Sequence, residues 1–246
     1  PNIMPVHEYG EKDGIAYLVM PYIDGGTLQD ELEREGQLSL PKATNYLEQM
    51  AVALDFIHEH GVIHRDIKPT NIMMALAGRL LLSDFGLVKI ISERQTPQVR
   101  LTGARAPIET TDYMAPEQAI GGEIDTRADL YSLGVILYQM LTGTTPFHGE
   151  TPLQIAAQHL QVQPLAPKIL RPDLPIIAEQ VVLRALAKRP VGRYMLAQEM
   201  VFAFRSALVS SGIRLDAAQI WTGLNGSTSA LPQGQFESAR QRSCHS

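Results

Sequence analysis

The chain has 246 residues, 21 Lys plus Arg against 26 Asp plus Glu for a formal charge of -5, and 45% hydrophobic residues. That length allows one large domain or two small ones with a core to bury, and the acidic balance speaks against nucleic-acid binding through charge alone. No stretch reaches the roughly 18 apolar residues that a bilayer crossing needs, and the single cysteine, Cys244, excludes an internal disulfide or a cysteine metal cage and points to a reducing, cytosolic setting.

The chain opens at Pro1 with no charged-then-apolar leader, so no signal peptide is expected. Two β-type runs, Met4 to Tyr9 and Ala16 to Tyr22, flank Glu11-Lys12-Asp13-Gly14, whose Asp-Gly pair predicts a hairpin turn. From Lys42 to His60 the residues Tyr46, Leu47, Met50, Ala53, Leu54 and Ile57 recur at helical spacing, with Ser39 as cap, Pro41 near the first turn and Gly61 as stop. Ile72 to Ala75 and Leu80 to Leu82, separated by Leu76-Ala77-Gly78-Arg79, predict a second small hairpin. Leu87 to Tyr113 lacks a sustained period, and a loop of that length inside a domain is usually functional. Thr126 to Thr142, apolar nearly all round and ending at Gly143, predicts a buried helix. Thr151-Pro152 opens another, and Ile176 to Lys188 and Met195 to Ser210 complete a helical second half. The end of the chain, from about Gly226, has the Ser-, Gln- and Gly-rich composition of a disordered tail.

The chemistry concentrates in two short motifs, His64-Arg65-Asp66-Ile67-Lys68-Pro69-Thr70-Asn71 and Ser83-Asp84-Phe85-Gly86. If Asp66, Asn71 and Asp84 converge at one end of the second hairpin, they offer hard oxygen ligands suited to magnesium, and Lys68 adds a point cation suited to a phosphate. Such a group serves phosphoryl transfer, with one carboxylate orienting the attacking hydroxyl. His7, His148 and His159 have no metal-ligand spacing and read as surface or packing residues, and Cys244 reads as an exposed thiol.

Together with Ala115-Pro116-Glu117, these motifs resemble the protein kinase family in order and spacing. Lys68 points to its serine/threonine branch, and Tyr113-Met114-Ala115-Pro116-Glu117-Gln118 and Tyr131-Ser132-Leu133-Gly134 are similar to the eukaryotic-like kinases of bacteria. The resemblance implies an α+β, protein-kinase-like fold, mainly the helical C-terminal lobe with a residual small-lobe hairpin. It places the kinase domain at residues 1–210, with the hairpin in 1–23 and the large lobe in 24–210, followed by a linker or tail. The implied activity is transfer of the ATP γ-phosphate, with Mg2+, to Ser or Thr hydroxyls of protein substrates.

By the same resemblance, Asp66 is the catalytic aspartate, Lys68 steadies the γ-phosphate, and Asn71 and Asp84 are magnesium ligands. Met20 falls at the gatekeeper, the Pro21 carbonyl and Ile23 backbone face adenine, and Met73 floors the adenine pocket. The segment from Asp84 to Glu117 is the activation segment. Arg65 is the arginine that pairs with a phosphate on it, and Thr96, Thr102, Thr110 and Thr111 are candidate acceptors. Thr110 aligns with the threonine of the substrate-docking loop, although Glu109-Thr110-Thr111 departs from the usual Gly-Thr-Pro type of sequence. Glu117 and Arg193 form a buried ion pair, and Asp129 holds the backbone around His64 and Arg65. The sequence contains no Gly-x-Gly-x-x-Gly, no strand lysine in a Val-Ala-Ile-Lys setting and no helix glutamate to follow it. Some 60–80 residues of a family-typical domain are therefore expected ahead of Pro1. The competing expectation is a pseudokinase or binding module. Cytoplasmic residence, as a free protein or as the cytosolic part of a membrane-anchored one, completes the implied picture.

Overall fold

The computed structural model describes residues 1–12, 15–84 and 111–215. The N-terminal segment lies against the second hairpin: Met4 N–H donates to the Leu82 carbonyl at 2.8 Å and Leu82 N–H to the Asn2 carbonyl at 2.9 Å, giving a parallel bridge from Ile3 to Leu82. Strand β1 therefore begins later than the expected Met4. It covers Glu8–Lys12 and pairs antiparallel with β2, Ile15–Val19, from Glu8 opposite Val19 to Lys12 opposite Ile15. Pro5, with no N–H to give, separates the two pairings. Tyr9, Ile15, Tyr17, Leu18 and Val19 are exposed on this hairpin.

After β2 the chain closes onto β3, where Met74 N–H donates to the Gly26 carbonyl at 2.9 Å. A Cβ at residue 25 would lie 2.0 Å from the Met74 carbonyl oxygen, so the approach requires the glycine found there. Helix α1, Leu28–Glu35, follows at once. Thr27 and Asp30 cap it reciprocally, Asp30 N–H to Thr27 Oγ1 at 3.3 Å and Thr27 N–H to Asp30 Oδ2 at 2.7 Å. Helix α2, Leu40–Glu59, carries the expected Ser39 cap and buries Leu47, Met50, Leu54 and Ile57. Strands β3, Ile72–Ala75, and β4, Arg79–Leu82, form the second hairpin across a 3-10 turn at Leu76–Gly78.

Helix α3 is the short Pro116–Ala119, and α4 is Arg127–Thr142, buried without interruption from Ala128 to Tyr138. Helices α5, Pro152–Gln161, α6, Pro167–Leu170, α7, Ile176–Ala185, and α8, Ala197–Ser210, complete the described elements. α4 packs on α2 and α7, and α8 covers both of those helices, so the core lies around α4. α7 stops at Ala185, short of the expected Lys188, and α8 starts at Ala197, not Met195. The second difference has a tertiary cause: the Asp55 carboxylate on α2 accepts from Ala197 N–H at 2.8 Å and Gln198 N–H at 2.9 Å, capping α8 from another helix. Helices with two small antiparallel sheets make the α+β architecture expected of this sequence.

Candidate active site

Asp129, on the first turn of α4 and 1% exposed, sets the loop that follows α2. Its Oδ2 accepts from His64 N–H and its Oδ1 from Arg65 N–H, both at 2.8 Å, while His58 Nε2 lies 2.8 Å from Oδ2. Three donors compensate the burial of one carboxylate. Arg65 is held at φ 66° and Asp84 at φ 56°, left-handed values that non-glycine residues keep only where the surroundings enforce them. His64 is fully buried, and burial pushes its pKa below the ordinary histidine value. Its neutral ring lies with Nε2 2.9 Å from the Ser83 carbonyl, which can only accept, and Nδ1 takes Asp66 N–H at 3.3 Å. His64 thus clips the loop to the end of β4.

Asp66 is half-buried at the mouth of this loop. The Asn71 amide donates to the Asp66 carbonyl at 2.8 Å and to Oδ2 at 3.1 Å, and Lys68 Nζ lies 3.2 Å from the same Oδ2. Ser83 connects Asn71 to Asp84: its N–H donates to the Asn71 carbonyl at 2.9 Å, and its Oγ lies 3.0 Å from that carbonyl and 3.3 Å from Asp84 Oδ2. The structure therefore brings Asp66, Lys68, Asn71 and Asp84 together at one end of the β3–β4 hairpin. With its amide turned to Asp66, Asn71 keeps its Oδ1 outside these bonds, and Asp84 is exposed and makes no ion pair among the described residues. Two hard oxygen donors in that state suit magnesium.

The segment through Met20, Pro21 and Ile23 leads into Gly25–Thr27, which pairs with β3 through the Thr27 to Met73 bridge. Met20 is exposed, and Pro21, Ile23 and Met73 are half-buried. Thr96, Thr102 and Thr110 lie outside the described residues. Thr111, read as a fourth candidate acceptor, is fully buried, which shuts its hydroxyl off from any phosphate donor. Glu117 and Arg193 meet in a buried, bidentate pair at 2.6 and 2.8 Å, and Arg193 spends its other donors on the carbonyls of Ala187, Arg127 and Lys188.

Several residues of the site, quoted above only as marks of the resemblance, were given no role from the sequence. Gln118 Nε2 donates to the Arg65 carbonyl at 2.9 Å, and its Oε1 accepts Ala115 N–H at 2.9 Å, so α3 is stitched to the Asp66 loop. Ser132 Oγ donates to the Tyr113 carbonyl at 2.7 Å, and the Tyr113 hydroxyl donates to Gln139 at 2.6 Å. Ser132 sits three residues after Asp129, one turn along the same helix face, a spacing from which it could have been suspected. A small pocket between the two segments is lined by Arg65, Asp66, Ile67, Tyr113, Met114, Gln118 and Ser132.

A helical body whose central helix holds a loop bearing an aspartate, a lysine and an asparagine beside a second aspartate on a small hairpin has the architecture of a protein kinase large lobe. The family profile described as the protein kinase domain matches residues 1–194, and the chain belongs to that family. It is 40% identical over 204 residues to the serine/threonine-protein kinase PknB of Mycobacterium tuberculosis, covering 81% of this chain and 32% of that protein. The figures for the protein of the same name from Mycobacterium leprae are 39%, 81% and 32%. The serine/threonine-protein kinase PrkC of Bacillus subtilis is 36% identical over 207 residues, covering 84% of this chain and 31% of that protein. The chain thus spans about a third of the length of these curated relatives.

Proposed function

We propose that this chain carries the catalytic large lobe and part of the small lobe of a bacterial-type serine/threonine protein kinase, with a kinase domain over residues 1–210. The observation that carries the reading is the joining of Asp66, Lys68, Asn71 and Asp84 at one end of the second hairpin, with every motif residue intact. A scaffold that had ceased to catalyse would have no reason to keep all of them.

In the reaction, the oxygen of a protein Ser or Thr hydroxyl forms a bond to the γ-phosphorus of ATP, and the bond to the β-phosphate oxygen breaks, leaving ADP. Asp66 orients the hydroxyl and accepts its proton as the new bond forms. Asn71 holds the Asp66 carboxylate at Oδ2, fixing the direction in which it faces substrate. Lys68, at the same oxygen, presents its cation to the γ-phosphate. Asn71 and Asp84 would hold magnesium, which when bound neutralises charge on the phosphates. Met20, Pro21, Ile23 and Met73 would receive adenine, and Arg65 would take a phosphate on the segment carrying Thr96, Thr102 and Thr110. The cytosol, where ATP and protein substrates are at hand, is the setting that fits.

The test is transfer of labelled γ-phosphate to a Ser/Thr peptide by the full-length protein. Asp66→Asn should lower kcat by about 10²–10⁴-fold, the share of a general base, while thermal unfolding changes little. An unchanged kcat removes Asp66 from the chemistry.

A further inference from the structure

His159, on α5, is 0% exposed and stands outside the site described above. Its Nε2 lies 3.0 Å from the Asp112 carbonyl and its Nδ1 lies 2.8 Å from the Tyr131 hydroxyl on α4. A carbonyl oxygen only accepts, so Nε2 carries the proton; Nδ1 then presents a lone pair, and the Tyr131 hydroxyl must donate to it. The chemistry of the partners thus selects one neutral tautomer. The ring is wedged edge-on between Tyr131 and Phe147, at centroid distances of 5.6 and 4.8 Å. Cations flank both aromatic rings, Lys188 Nζ 4.3 Å from the Phe147 centroid and the Arg193 guanidinium 4.7 Å from that of Tyr131, and an imidazolium between them would be repelled. Burial and Lys188 hold the His159 pKa down at about 4, so it stays neutral across the physiological range.

The carbonyl it grips belongs to the residue before Tyr113. The next backbone carbonyl is gripped by Ser132 of α4, and the Tyr113 hydroxyl by Gln139. Further along the same segment, Gln118 reaches the Arg65 carbonyl beside Asp66. Residues 112–118 are therefore placed by α4 and α5 at one end and deliver that placement to the Asp66 loop at the other, forming one wall of the pocket that Arg65 and Asp66 line.

We infer that His159 is a positioning residue for the acceptor peptide: its two hydrogen bonds tie Asp112 to α4 and α5 and so set the distance between the docking wall at Tyr113–Gln118 and the Asp66 carboxylate. The inference rests on the kinase reading, and its effect is specific to the protein substrate, since the pocket walled by Tyr113, Met114 and Gln118 includes none of Met20, Pro21, Ile23 and Met73, the residues proposed to receive adenine.

The test uses the full-length protein with His159→Phe, which keeps a ring against Phe147 and removes both hydrogen bonds, and His159→Gln, whose amide can donate to Asp112 and accept from Tyr131. In His159→Phe the KM for a Ser/Thr peptide rises roughly tenfold, about the worth of one or two neutral hydrogen bonds, with the KM for ATP unchanged; His159→Gln recovers most of the loss. Equal peptide KM values in all three proteins, or peptide and ATP KM values rising together, overturn the inference. Amide hydrogen exchange provides a readout that needs no catalysis. His159→Phe should speed exchange at residues 112–118 roughly tenfold while α2 and α8 keep their protection, and unchanged exchange in that segment overturns the inference even where no phosphate transfer is detected. Absent transfer by the wild-type protein combined with the expected exchange pattern would refute the kinase reading and leave the strut in place.

Discussion

The Thr111 hydroxyl is buried without a hydrogen-bond partner, alone in this among the described residues. Other polar groups of the site show the alternative: Ser132 answers the Tyr113 carbonyl, Asn71 answers Asp66, and the Asp129 carboxylate gathers three donors. An unanswered hydroxyl in an apolar setting loses its water without replacement, a cost of about 1–3 kcal/mol in proteins. Thr111→Val keeps the shape and removes the polar atom. It should therefore stabilise the fold by about 1 kcal/mol, seen as a rise in Tm of about 2–4 °C for a chain of this size. A drop in Tm would mean that the hydroxyl is in fact bonded.

Between elements, α4 and α7 approach closely at Gly134. A Cβ on Gly134 would sit 2.7 Å from the Ala185 Cβ, below any ordinary carbon contact. Alanine would gain up to about 1 kcal/mol of helix propensity over glycine, but overpacking here costs about 1–3 kcal/mol. Gly134→Ala should thus lower the urea midpoint, and adding Ala185→Gly should restore much of it; a double variant no better than the single one places the strain elsewhere. Helices with local signals, such as α2 with Ser39 and α4 with its unbroken apolar surface, were legible in the sequence because their caps and periods lie within a few residues. Helix α1 was not, since Leu28, Glu31 and Leu32 keep helical spacing over only eight residues and the middle member of that buried face is charged, and the start of α8 depends on Asp55, 142 residues away from Ala197. The site divides in the same way. Asp66, Lys68, Asn71 and Asp84 sit in two short motifs whose spacing is itself the signal, whereas Gln118 and His159 act on backbone carbonyls that no side-chain pattern reveals, and Ser132 has only its helical spacing from Asp129 to mark it.

At the scale of the whole molecule, the buried histidines make stability depend on acid. His64 and His159 are both held neutral by burial, His159 down to a pKa of about 4. Once unfolded, each takes up a proton near the ordinary pKa of about 6.5, so between those values the unfolded chain binds more protons than the folded one, and stability must rise with pH across that window. Read downward, the histidine contribution is constant above about pH 7 and falls from about 6.5 toward 4; His159 alone accounts for a loss on the order of 3 kcal/mol by the lower end. Carboxylates add to this below pH 4. Asp125 is held under its usual range chiefly by its hydrogen bond to Arg127, and Glu35 by that to Lys42; stability gained from such groups is present above the carboxylate pKa and lost as they protonate. Urea unfolding of this chain between pH 7.5 and 4 separates the two sources. In the wild type the free energy should decline already above pH 5, where carboxylates still hold their charge, and His159→Gln should flatten that upper part of the curve while leaving the steeper fall below it. A variant curve parallel to the wild type from pH 6.5 to 4 would show that the imidazole takes up its proton in the folded state, and the neutral strut from α5 to Asp112 would have to be abandoned.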